Sequence, residues 1–346
     1  MFGGIKVSYF YKLFFSLVFT ASFLYADISG DISEILKSSR KDFIAGNVMV
    51  GIMNAKNGKI LSINVEDENG TQNRAVFLNY AYEPGAVMMP ITVSIAIDEG
   101  VVDIDTKLKS YETAVMPIDK NRWIKDRATI DPLNIQNLLI YSSNIGLAQI
   151  ALKTSAKGIH DGLEKFGFSK KSGIDVKIDN KGSLKSLKLL GQKVDRVATS
   201  IGYGMSATPL QLMRAYSAFL NKGELLTPYL NEKKSQKNQR AISEKTAKEI
   251  KDILIKAVKE GRGSNAAVKG LRVGGMGGIA QIAIGGSYTK SYNSSFYGFV
   301  EDDKNNSYII GVVVVDAQRD KSASKTATVV FKKIVKVLQK HSILSL

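Results

Sequence analysis

Leu271-Arg272-Val273-Gly274-Gly275-Met276, Ile279-Ala280-Gln281-Ile282-Ala283-Ile284, Ser295-Phe296-Tyr297-Gly298-Phe299-Val300 and Tyr308-Ile309-Ile310-Gly311-Val312-Val313-Val314-Val315 are four short apolar runs near the C-terminus. β-branched and aromatic residues fill them and Gly, Asn and Asp separate them, so each reads as a strand. Upstream of residue 270 the period is helical, in 88–99, 133–141, 145–152, 157–166, 209–220 and 243–260. Pro90 is tolerated only in a first turn, which places the start of its helix at or just after Ala86. Ser243, with Thr246 three residues on, is a usable cap without a full capping box. Earlier still, the runs 47–53 and 59–65 flank Ala55-Lys56-Asn57-Gly58, and Asn-Gly between β-rich runs signals a hairpin. A last helix runs from about 328 to 341. The order is hairpin, helical block, strands, terminal helix. Its simplest closure is an α/β fold of the α+β kind: one antiparallel sheet flanked by helices, with the helical block as a second lobe and a cleft between them.

The chain has 346 residues, 44% hydrophobic and 23% charged, which is ordinary globular composition. Thirty Gly and six Pro argue against low complexity. There is no cysteine, which excludes a disulfide, a thiolate nucleophile and a Cys-based metal site. Only His160 and His341 carry imidazoles. They read as surface residues, so neither a Ser-His-Asp triad nor a zinc site is expected, and no cofactor. The formal charge of +16 favours acidic partners. Helix-turn-helix, zinc-finger and RNA-binding signatures are missing, so nucleic acid is not expected. Residues 321–340 hold six lysines and no acid. They read as a solvated helix face or, alternatively, as attraction to anionic lipid headgroups or wall-polymer carboxylates.

Residues 1–26 look like an export signal. Lys6 and Lys12 supply the positive charge, 13–24 is largely apolar, and Tyr25-Ala26 precedes Asp27 at a plausible cleavage point. The apolar stretch is shorter than the roughly 20 residues a spanning helix needs. A cleaved signal is the expectation and an uncleaved membrane anchor the alternative. Either places the rest of the chain in the periplasm, free or held at the inner membrane. Residues 27–45 read as a linker or small helix, and 46–342 as the folded domain.

Several separated stretches carry a resemblance. They include Tyr82-Glu83-Pro84-Gly85-Ala86-Val87-Met88-Met89-Pro90, Ser142-Ser143-Asn144-Ile145-Gly146, and Phe166-Gly167-Phe168 with Ser172-Gly173-Ile174. Three more are Ile201-Gly202-Tyr203-Gly204-Met205-Ser206-Ala207-Thr208-Pro209-Leu210-Gln211-Leu212, Glu260-Gly261-Arg262-Gly263-Ser264-Asn265, and Val273-Gly274-Gly275-Met276-Gly277-Gly278-Ile279-Ala280-Gln281. As an ordered set over about 46–338 they resemble the transpeptidase domain of class B penicillin-binding proteins, the septal and elongation peptidoglycan cross-linkers. The resemblance implies the penicillin-binding/β-lactamase-like transpeptidase fold and a place in cell-wall synthesis, in cell division or cell shape. Members of that family carry a large pedestal module ahead of the domain, whereas here only about 20 residues separate the apolar segment from it.

The resemblance also implies a site built from Ser-x-x-Lys, Ser-x-Asn and Lys-Thr-Gly. Here Ala86-x-x-Met89 stands for the first and Met276-Gly277-Gly278 for the third. Ala86 has no oxygen to acylate, and Met89 is no base. Met276 removes the cation that would hold a substrate carboxylate, and Gly277 the hydroxyl beside it. Ser142, Asn144, Ile279 and Gln281 remain as ligand-cleft candidates, with the amides of Ala86 and Ile279 where the family's oxyanion hole lies. An oxyanion hole without a nucleophile gives no covalent turnover. Both methionines read either as core fillers or as the floor of an apolar groove for a partner peptide. Ser38-x-x-Lys41 and Ser322-x-x-Lys325 also match the first motif in text, but geometry rather than text defines a site. The expectation is therefore a pseudo-transpeptidase that binds a peptidoglycan stem peptide or wall and division proteins. The alternative is residual D,D-transpeptidase or peptidase activity through Ser142. Asn69 and Asn305 are glycosylation candidates, in Asp67-Glu68-Asn69-Gly70-Thr71 and Asp303-Lys304-Asn305-Asn306-Ser307.

Overall fold

A computed structural model describes residues 28–231 and 239–345; the expected export signal at 1–26 lies outside them. A helix at 28–43 (α1) leads into the predicted hairpin, β1 (Asn47–Asn54) and β2 (Ile60–Glu66). The helical block follows, with α2 (Ala75–Asn79), a 3-10 turn at Gly85–Met88, α3 (Met89–Asp98), a ribbon of β3 (Val115–Asp119) and β4 (Arg122–Lys125), α4 (Ile135–Tyr141) and α5 (Asn144–Lys153). It continues through α6 (Ala156–Lys165), α7 (Leu187–Leu190), α8 (Lys193–Ile201), α9 (Pro209–Ser217), the short pair β5 (Glu224–Leu225) and β6 (Gln239–Arg240), and α10 (Glu244–Glu260). The long strands β7 (Arg272–Ile284), β8 (Ser287–Glu301) and β9 (Ser307–Val315) and the terminal helix α11 (Ala327–Lys340) complete the domain.

Hairpin and late strands join in one antiparallel sheet of order β2-β1-β9-β8-β7. Its strands are apolar on both sides because both faces are covered. Val48, Val50 and Ile52 of β1, with Val312 and Val314 of β9, pack under α11 and α1 against Phe331 and Ile334. Met49, Met53, Ile309, Val313 and Tyr297 point the other way, into the helical lobe. Register fixes this division, since Val50 lies opposite Val312 and Gly51 opposite Gly311.

The structure decides or corrects the sequence reading in three places. Of the linker and the small helix read for 27–45, residues 28–43 take the helix. Ile28, Ile32 and Leu36 recur every fourth residue, all are buried in the α11-side core, and each such burial contributes about 1.5–3 kcal/mol. Ser29 and Ser33 beside that stripe accept hydrogen bonds from Asn64 of β2, and Glu34, Lys37, Ser38, Lys41 and Asp42 are exposed. Second, 271–276 and 279–284 are one strand, because Gly277 and Gly278 mark a close backbone approach rather than a break. Third, the β3–β4 ribbon and α8 fall in stretches where no element was expected.

Candidate active-site cleft

Three glycines let three backbones meet at the deep end of the cleft. Gly85 opens the 3-10 turn at φ +64°, and a Cβ there would lie 2.6 Å from the Ile279 carbonyl oxygen. A Cβ on Gly278 would lie 2.9 Å from the Pro84 carbonyl and the Val87 nitrogen. Gly202, at φ +93° where α8 ends, would put one 2.6 Å from the Gly85 nitrogen and carbonyl oxygen. Only glycine fits these contacts, and they press the 3-10 turn onto β7. Ala86, half-buried on that turn, lines the cleft beside Met276, Gly277, Gly278 and Ile279.

Met89 opens α3 and is fully buried. The Ser142 hydroxyl donates to its Sδ at 3.4 Å. Ser142 caps α4 in the left-handed region, φ 56°, which turns the chain sharply into α5. Ser143 caps α5 through the Gly146 N–H at 2.9 Å. Asp126, just beyond β4, takes hydrogen bonds from the Ser143 hydroxyl and from the Asn144 and Ile145 amides. The Asn144 side chain donates to the Lys125 carbonyl at 3.1 Å, which ties it to the ribbon. Ala86, Ser142, Asn144, Met276, Gly277, Gly278 and Ile279 therefore share one cleft.

Gln281 does not belong with them. Its amide donates to the Thr289 carbonyl at 3.1 Å across the β7–β8 hairpin. Pairing slips just beyond it, between Gln281 and Ala283, and the strand has left the cleft by that point. Met89 is fully buried and stands behind the cleft wall, whereas Met276, only 3% exposed and opposite Tyr297, packs in the core and still reaches the cleft lining.

The cleft encloses about 1000 Å³, and its charge comes from residues that the motifs do not contain. Arg122, Lys125 and Arg127 reach it from β4 and the loop behind it, and Arg262 from the loop after α10. Trp123, 59% exposed, stands among them. Tyr288 folds over from the hairpin tip; its hydroxyl donates to Glu83 Oε2 at 3.0 Å, while Glu83 Oε1 accepts the Gly204 N–H at 2.7 Å. Burial, then the Glu83 carboxylate, push the Tyr288 phenol up to about 12. Tyr203 packs edge-on to Tyr288 and donates to the Ile279 carbonyl at 3.3 Å. In the sequence Arg122, Lys125 and Arg127 are indistinguishable from solvated charge, and Arg262, though inside a quoted stretch, carries no mark of its own there.

Ser322 lies at the cleft as well, yet its hydroxyl donates to Asp320 Oδ1 at 2.6 Å and Lys325 pairs with Asp320 at 3.1 Å. Ser38, on α1, donates to the Ile35 carbonyl, outside the cleft. Asn69 and Asn305 are exposed on turns; the Thr71 hydroxyl bonds Asp67, and Ser307 is buried at the start of β9. Among the described residues no group of three or more His, Asp and Glu forms a metal-ligand set.

The sequence profile of the penicillin binding protein transpeptidase domain matches residues 48–336. The chain belongs to that family. It is 31% identical over 280 residues to stage V sporulation protein D of Bacillus subtilis, a match covering 72% of this chain and 42% of the relative. It is also 31% identical over 262 residues to a probable peptidoglycan D,D-transpeptidase, PbpC, of Pseudomonas aeruginosa, covering 71% of this chain and 45% of the relative. The chain thus spans less than half the length of these two relatives. Among solved structures, the apo transpeptidase domain of Burkholderia pseudomallei penicillin-binding protein 3 superposes with a TM-score of 0.81 at 26% identity, over 91% of this chain and 94% of that one. The α+β fold of this chain, a five-stranded antiparallel sheet flanked by helices, is the penicillin-binding transpeptidase fold.

Proposed function

We propose that this chain is a pseudo-transpeptidase, a periplasmic protein that acts in peptidoglycan synthesis, cell division or cell shape by binding rather than by acyl transfer. One observation carries the reading: at the junction of 3-10 turn and β7, where the family resemblance assigns the nucleophile, the side chain is the methyl of Ala86. The neighbouring Ser142 hydroxyl offers no substitute. Its partner is the Met89 thioether, a weak acceptor that cannot take up a proton. An extended peptide lying along the outer side of β7, the last strand of the sheet, fits the strand-addition mode of recognition. Asn69 is the better placed of the two glycosylation candidates, because the hydroxyl of the other sequon is buried with Ser307.

Fluorescent penicillin tests the reading. The wild-type protein is expected to show no covalent label, and stable labelling that excess unlabelled antibiotic blocks overturns it. A rebuilt site supplies the positive control. Ala86→Ser alone restores a hydroxyl without a base, and such a base contributes about 10²–10⁴-fold. A penicilloyl adduct is expected by mass spectrometry only when Ala86→Ser and Met89→Lys are combined, and faster with Met276→Lys and Gly277→Thr added. Robust acylation of the Ala86→Ser single variant would show that another base serves the cleft.

A further inference from the structure

The cleft carries an unbalanced charge. Four cations line it, Arg122, Lys125, Arg127 and Arg262, against one acid, Asp126. That acid is engaged elsewhere. Both carboxylate oxygens of Asp126 accept hydrogen bonds from the first turn of α5, at Ser143, Asn144 and Ile145, where the helix dipole also stabilises the negative charge. None of the four cations makes an ion pair with any described residue. Burial, then the nearby Arg127 guanidinium, hold Arg262 below the ordinary arginine pKa, with Asp126 opposing. Two guanidiniums that repel each other in a partly desolvated cleft favour an anion between them, and their planar forks match carboxylates bidentately.

We infer that this cleft recognises an acidic peptide, one with at least two closely spaced carboxylates, through Arg127 and Arg262. The inference rests on the binding role proposed above and names the chemistry of the ligand. It places anion recognition on side chains outside the three motif positions, at the mouth formed by the loop behind β4 and the loop after α10. A dianion balances the two guanidiniums of Arg127 and Arg262, while Arg122 and Lys125 keep the rest of the cleft positive. The peptide class follows from the other wall, where residues 275–279 of the terminal strand β7 line the same cavity and offer main-chain groups to an extended chain.

Trp123 reports on the site, because it is the one tryptophan of the chain and lies in the cleft. The probe is the capped peptide Ala-Glu-Ala-Glu-Ala, with Ala-Gln-Ala-Gln-Ala as its neutral twin, read by Trp123 fluorescence and independently by calorimetry. Saturable binding of the acidic peptide is expected at low salt, weakened at least tenfold in the neutral twin and reduced by 0.5 M salt. Arg127→Gln and Arg262→Gln should each weaken it about tenfold, with Arg262→Lys in between. Lys245→Gln, an exposed change on α10 outside the cleft, should leave it unchanged; a thermal melt of each variant confirms folding. Equal binding of both peptides, or unaltered affinity in the folded arginine variants, overturns the inference. Full displacement by sulfate at equal concentration also overturns it, by reducing the site to a generic anion sink. Penicillin labelling separates the two readings. A labelled protein that still binds the acidic peptide loses only the pseudoenzyme assignment, and an unlabelled one that ignores the peptide loses only this inference.

Discussion

The two walls of the cleft are made of different material. The β7 wall is backbone held against backbone, where Gly85, Gly202 and Gly278 each occupy space a methyl group would invade. The β4 wall is long exposed side chains on a two-stranded ribbon and its loop, Arg122, Trp123, Lys125 and Arg127. Shape depends on the first wall and charge on the second. Close packing leaves the first few alternatives, because interiors tolerate little change in volume. Exposed side chains leave the second free to change its ligand without endangering the fold.

Substitution should expose that asymmetry most strongly at Gly202. Gly202→Val forces a β-branched residue into φ +93°, which costs about 1–3 kcal/mol, and drives its Cβ into the Gly85 backbone. The expected loss is about 4 kcal/mol or more, read from the midpoint of urea unfolding. Arg127→Gln, on the other wall, should stay within about 0.5 kcal/mol of wild type in the same titration. Comparable losses at both positions would mean that the ribbon is as much a part of the packed core as the glycine junction.

A smaller effect is expected one turn along, at Met89→Lys. Met89 is fully buried, and its neighbour Ser142 donates a hydrogen bond rather than a negative charge. An ammonium there is desolvated and its pKa falls. The unfolded chain then binds more protons than the folded one, so stability rises with pH. The variant should lose about 3 kcal/mol at pH 7 and recover most of it as pH rises through the ordinary lysine value near 10.4. A flat pH profile from 7 to 10.5 would mean that the side chain escapes to solvent.

How much of this was legible in the sequence follows the same division. Strand periods, the Asn57-Gly58 hairpin and the position of Pro90 name the sheet and the helical block, because they depend on local sterics and burial. Ala86, Ser142, Asn144, Met276 and Ile279 could be assigned to one cleft because ordered motif stretches carry the contact between the 3-10 turn and β7. Arg262 stands in one of those stretches and still was not placed at the cleft, since nothing local shows that a loop after α10 meets a loop after β4. Gln281 failed for the opposite reason: it belongs to the motif text but lies past the point where β7 leaves the cleft. α1 stayed open between linker and helix because Ile28, Ile32 and Leu36 stand apart among polar residues, and Tyr288 was missed because 205 residues separate it from Glu83.

Ser322 is the case where motif text and cleft position agree and the chemistry still fails, and it gives the smallest effect. The Ser322 hydroxyl, then its backbone N–H, and Lys325 all turn to Asp320 and hold that carboxyl down to about 2 from an ordinary 3.8. A carboxyl with a depressed folded pKa contributes stability that is present above about pH 4 and lost as pH falls through about 2. Asp320 keeps about a third of its side chain in solvent, so screening limits the contribution to under about 1 kcal/mol. Asp320→Asn should flatten that part of the acid stability curve and leave stability between pH 5 and 8 lower by no more than that amount. It should also free the Ser322 hydroxyl without giving it a base, because Lys325, 71% exposed, has then lost its anchor as well. No penicillin label is expected on the Asp320→Asn protein, and label appearing at Ser322 would make this second Ser-x-x-Lys a latent nucleophile that the Asp320 carboxylate holds in check.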